Sequence, residues 1–178
     1  SYFLWASMPD EELFALAKAG KLGTDDELRK QVRRMLKDPK ARGFAEAFAM
    51  QWLDLRPLGI TAKPDPTRFP EFDDALAAAM REEVVMLFEH VVREDRSLLE
   101  LIDADYTFAN ERLAKIYGLP NVAGPQMRKV PLPDRTRGGA ITSAAVLTVT
   151  SYPLRTSPVL RGRWVLEEVL GSKVPPPP

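Results

Sequence analysis

The 178-residue chain contains no cysteine. That absence removes disulfides, thiolate nucleophiles, zinc–thiolate sites and the C-x-x-C-H attachment of a c-type haem. Histidine occurs once, at His90, and the spacing around it is wrong for a carboxylate-bridged di-iron bundle, which wants Glu three residues before the His where Leu87 stands. The carboxylates that remain suit Mg²⁺ or Ca²⁺ better than a transition metal, so no metal site and no cofactor are expected within the segment. No run approaches the ~20 apolar residues of a membrane-spanning helix, and no transmembrane segment is expected. Charge of one sign is not in excess either. Lys+Arg and Asp+Glu are both 25, which leaves the whole chain no electrostatic drive toward nucleic acid or an anionic membrane. Neither G-x-x-x-x-G-K-[ST] nor G-x-G-x-x-G is present to mark a phosphate loop.

What is present is enough apolar residue for a packed core, 45% of the chain. Helix signals dominate. Asp10 is placed to cap a helix over 11–19, and Thr24 with Glu27 forms a capping box for one over about 25–38. Pro39 opens a fourth helix carrying an aromatic stripe of Phe44, Phe48 and Trp52. Four prolines between 56 and 70 forbid helix there, and the longest helix follows at about 71–93 with Phe72, Leu76, Ala79, Met80, Leu87 and Val91 on one side. Ser97 is placed to cap one turn, and Asp105 and Asn110 to cap a helix ending at Tyr117-Gly118. Residues 127–132 suit a short strand, while 139–146 read as helix followed by extended chain. The prolines at 175–178 begin a polyproline exit. These signals predict an all-α fold, mainly a helical bundle, with a loop-rich, mostly helical second part.

The segment 148–171 carries the strongest functional signal. A Ser/Thr-rich loop ends at Thr156-Ser157-Pro158, where a hydroxyl cap and a proline at the first helical position start a helix stopped by Gly171. Val159, Gly162, Val165, Leu166, Val169 and Leu170 share one face of it, the expected core face. Arg161 and Arg163 then sit at the positive end of the helix dipole and require an anion or carboxylates. The surroundings deepen that requirement. Residues 1–100 carry 15 basic and 19 acidic side chains against 10 and 6 in residues 101–178, and between Arg128 and Arg163 seven basic residues face Asp134 alone. Arg137, Arg155, Arg161 and Arg163 are therefore the candidate binding residues for an anion or an acidic partner. The alternative is internal pairing with carboxylates such as Asp103, Asp105 or Glu111.

The stretches SYFLWASMPDEEL, QVRRMLKDPKA, FPEFDDAL, DADYTFANERLAKIYGLP, RGGAITSAAVLTVTS and RTSPVLRGRWVLEEVLG resemble two adjacent domain families of the large planctomycete cytochrome-associated proteins. These are the fourth "PSD" domain followed by the third "PSCyt" domain. The resemblance implies a division into 1–101 and 102–178 and a periplasmic or extracytoplasmic setting. It also implies partners among the neighbouring domains of one parent chain, a cytochrome c domain included. It brings no catalytic residues, and any haem c belongs elsewhere in that parent. The chain opens without methionine inside an apolar run, as an internal piece of such a protein would. The expected role is a helical scaffold or docking module. The alternative is part of a periplasmic redox or hydrolytic enzyme with its anion site in the Arg-rich second part; no nucleophile–base pair or metal cluster is recognisable in the sequence to support it.

Overall fold

The structure, a computed structural model, describes residues 1–173 and 175, so the expected polyproline exit lies outside the described residues beyond Pro175. Four helices open the chain: α1 (Tyr2–Trp5), α2 (Glu11–Lys18), α3 (Asp25–Lys37) and α4 (Arg42–Trp52), with the 20-residue α5 (Asp74–Arg93) following the proline-rich loop. The remainder is β1 (Tyr106–Ala109), α6 (Glu111–Tyr117), β2 (Arg128–Pro131), α7 (Ala144–Val149), β3 (Ser151–Tyr152), β4 (Arg155–Thr156) and α8 (Pro158–Trp164), which runs into a π turn at Val165–Val169. The fold is mostly helical, with two antiparallel two-stranded sheets, β1–β2 and β3–β4.

Local chemistry starts most of these helices. The side chains of Asp10, Asp73, Asn110, Ser143 and Ser157 accept from the amides of Leu13, Leu76, Leu113, Val146 and Leu160, each satisfying a first-turn donor. Thr24 departs from the expected capping box. Its hydroxyl donates back to the Lys21 carbonyl at 3.3 Å, and α3 starts without a side-chain cap.

The core is built on α5, whose Leu76, Met80, Val84, Leu87, Phe88 and Val91 are buried against α4 on one side and β1 on another. On α4 the buried residues are Ala45 and Ala49. The aromatic stripe lies along the edge, with Phe48 stacked on Phe88 at 5.1 Å yet 42% exposed. Residues of one core cluster come from both sides of Leu101, from Ala45 to Trp164. A satellite cluster gathers Trp5, Leu13, Met35 and Ala41, tied by the Trp5 indole donating to the Met35 carbonyl at 2.9 Å.

Two stretches differ from their sequence reading. The helix expected at 139–146 begins only at Ala144, because the Gly138-Gly139 pair is used for close approach instead. Gly139 has φ +63, and a Cβ there would lie 2.4 Å from the Ile102 carbonyl, so the strap 138–140 is pressed onto the chain at 101–104 and Ala140 donates to the Leu101 carbonyl. The last helix buries its apolar face only in part, packing Val165 and Val169 against the core. Val159, Leu170 and Leu166 are 81%, 63% and 41% exposed, and its anchor is Trp164, 7% exposed, whose indole donates to the Leu53 carbonyl at 3.0 Å. Trp52 returns the contact by donating to the Glu168 carbonyl at 2.7 Å. Trp164→Phe should therefore cost about 1–3 kcal/mol by leaving the buried Leu53 carbonyl unpaired. Leu166→Ala should cost less than about 1 kcal/mol. Urea midpoints of the two variants check both values.

Candidate anion-binding site

Backbone bonds bring three distant stretches around one cleft of about 700 Å³. The loop 57–70 is folded on itself by the amides of Ile60, Thr61 and Ala62 donating to the Pro57 carbonyl, and by the Asp65 carboxylate accepting from Thr67 and Arg68. Its Asp65 amide donates to the Pro153 carbonyl at 3.0 Å, which sets the loop against the β3–β4 hairpin and puts Lys63 and Arg68 on the cleft wall. The hairpin pairs Tyr152 with Arg155, whose guanidinium carbon lies 5.0 Å from the Tyr152 ring centroid, a cation–π contact. Arg161, four residues past the Ser157 cap, reaches the Thr150 hydroxyl at 3.4 Å.

Arg137 is the most firmly held cation of the cleft. Its guanidinium carbon sits 4.2 Å from the centroid of Tyr117, and it donates to the Thr142 carbonyl at 3.1 Å. Thr142 in turn accepts from the Gly138 amide and donates to the Gly138 carbonyl, which fixes the strap. Apolar surface completes the walls through Phe69, Met80, Leu147 and Leu154.

The wall thus carries Lys63, Arg68, Arg137, Arg155 and Arg161 and no carboxylate. None of the five has a carboxylate within 4.0 Å among the described residues. Of the acidic residues considered as internal partners, Asp103 is engaged by Arg135 and Glu111 by Lys115 at 2.6 Å and the Gly124 amide at 2.9 Å, while Asp105 does not line the cleft. Three of the four sequence-predicted arginines, Arg137, Arg155 and Arg161, line the cleft. Arg163 does not. It pairs with Glu167 at 2.8 Å and borders a separate recess with Asp54 and Glu168.

Behind the cleft lies a buried polar cluster. Glu83, on α5 and 4% exposed, accepts from the Thr107 hydroxyl at 2.5 Å and from the Tyr117 hydroxyl at 2.6 Å. The Tyr117 oxygen also accepts from the Ala144 amide at 2.7 Å. Burial pushes the Glu83 carboxyl up to about 7, against the pull of the two hydroxyls and of Arg137. Burial, reinforced by the neighbouring Glu83 charge, lifts the Tyr117 phenol well above its ordinary range. Sequence reasoning missed Lys63, Arg68, Tyr117 and Glu83. Only Glu83 had a readable signal, as a carboxylate set among the apolar positions Met80, Val84 and Leu87 of α5.

His90 is half-buried, edge-on to Tyr106 and Phe108, with Nε2 2.9 Å from the Lys129 ammonium; burial and then that charge pull its pKa down. Among the described residues no three His, Asp or Glu side chains are grouped to hold a metal, and no helix is long and apolar enough to cross a membrane.

Residues 1–119 match the PSD4 family, described as protein of unknown function (DUF1592). The chain belongs to the PSD4 family. Residues 137–178 match a second family, PSCyt3, also described as protein of unknown function (DUF1588). The cleft is therefore composite: the PSD4 match supplies Lys63, Arg68 and Tyr117, and the PSCyt3 match supplies Arg137, Arg155 and Arg161. No curated protein and no solved structure matches the chain.

Proposed function

We propose that this segment is a docking module whose cleft holds a carboxylate-bearing group presented by a neighbouring domain of its parent chain. The observation that carries the reading is the convergence of five cations on one partly apolar cleft whose wall contains no carboxylate. Cations so gathered repel one another, and an anion relieves that repulsion while the apolar parts of the wall strengthen its attraction. The volume lies within the range of small-ligand pockets, so the docked group is compact: a few acidic side chains and the apolar surface beside them. Arg155 over Tyr152 and Arg137 over Tyr117 leave guanidinium edges for bidentate carboxylate contact. The extracytoplasmic setting and the cytochrome-bearing parent that the sequence resemblance implies belong to the same proposal.

Benzene-1,3,5-tricarboxylate is a suitable probe, combining three carboxylates with a flat apolar body. Isothermal titration should give saturable 1:1 binding that weakens as salt rises, and no binding of the uncharged benzene-1,3,5-tricarboxamide. Equal binding of acid and amide would sink the reading, because the cations would then contribute nothing.

A further inference from the structure

The cleft and the buried carboxyl behind it share two side chains. Arg137 and Tyr117 line both the 700 Å³ cleft and the small internal cavity that contains Glu83 and Thr107. Resting on the anion-binding reading above, we infer that the cleft takes up its anion together with a proton, which is held by Glu83.

The coupling follows from what faces Glu83. Thr107 of β1 and Tyr117 of α6 donate to its two oxygens, and Arg137 contributes the one full positive charge near it. The strap before α7 adds the neutral Thr142 and Ser143 to the same cavity. Several charged groups on the other elements packed against α5 are engaged elsewhere. Arg42 of α4 is taken by Glu46, Glu82 and Glu89, Arg34 of α3 by Asp10, and Glu100 by Arg96 and Tyr106. The ionised form of Glu83 therefore depends on Arg137 and two hydroxyls to offset its burial.

An anion bound beside Arg137 cancels much of that support and adds a negative charge on the other side of the Tyr117 ring. The balance then shifts toward the neutral acid, and a proton from solvent adds to a Glu83 oxygen. The new O–H has acceptors in place, the Thr107 oxygen and the Tyr117 oxygen. Linkage is reciprocal: if the anion promotes protonation, protonation promotes anion binding by the same factor.

Titration calorimetry of the tricarboxylate probe at pH 7, in two buffers of different ionisation enthalpy, reads the proton directly. The expected result is uptake of about half a proton per probe, since a carboxyl half-protonated in the free protein becomes nearly fully protonated in the complex. Affinity should fall by about tenfold between pH 6 and pH 9 if binding shifts the carboxyl by one unit. Glu83→Gln should bind the probe with no uptake and no such pH dependence. As a check that needs no variant, the ¹³C carboxyl resonance of Glu83 in the unaltered protein should titrate at higher pH with the probe bound. Binding without proton uptake, or an unmoved Glu83 titration, overturns the coupling and leaves the anion site standing. Absence of probe binding overturns both.

Discussion

Glu83→Ala should lower the unfolding free energy by about 3–5 kcal/mol, since it strands two buried hydroxyls, those of Thr107 and Tyr117, and opens a void beneath α5. Glu83→Gln keeps an acceptor and the volume, and should lose much less. The two variants separate further when pH is varied. A carboxyl raised from 4.5 to about 7 in the folded chain binds more protons folded than unfolded. Its contribution is fully present below pH 4.5 and is lost as pH rises through 7. Wild-type stability should thus fall by roughly 2–3 kcal/mol relative to Glu83→Gln between pH 5 and pH 8. Urea denaturation of both proteins at the two pH values measures the difference; parallel stabilities would show that Glu83 does not titrate in this range.

The Arg155→Ala/Arg161→Ala double variant should lose binding of the tricarboxylate probe by at least about 100-fold, with little change in stability. Each arginine supplies a charge-assisted contact worth about 1.5–3 kcal/mol. Neither anchors the fold: Arg155 rests on an exposed Tyr152, and Arg161 makes one long contact to Thr150. Arg137→Ala should behave differently. Removing it uncovers the Tyr117 ring, frees the Thr142 carbonyl and withdraws the positive charge near Glu83, so stability and binding fall together. Thermal melts beside calorimetry distinguish these patterns, and a destabilised Arg155→Ala/Arg161→Ala protein would mean that those cations are structural.

The sequence announces those parts of the fold that depend on neighbours in the chain. Asp10, Asn110 and Ser157 cap as their residue types suggest, and the apolar repeat of α5 does mark the central helix. The strand β1 was not readable. Its four residues acquire strand geometry only by pairing with β2 some twenty residues on, with Tyr106 opposite Pro131. The reading of 139–146 as helix fails at its first residue, because only the chain at 101–104 explains Gly139.

The site divides in the same way. The basic stretch is visible as composition, and Arg137, Arg155 and Arg161 come from it. Lys63 and Arg68 join through a backbone bond from Asp65 to Pro153 that leaves no side-chain signature. Arg163 was excludable on geometry: two residues are about 200° apart around a helix, so Arg161 and Arg163 cannot face one cleft.

The most direct test of the anion site is an NMR titration of the arginine Nε–Hε resonances with benzene-1,3,5-tricarboxylate. Arg68, Arg137, Arg155 and Arg161 should shift together and saturate with one affinity, while Arg163, held by Glu167, and Arg34, held by Asp10, should stay in place. Shifts spread evenly over all arginines, with Arg163 and Arg34 moving as far as the other four, would contradict a binding site at this cleft.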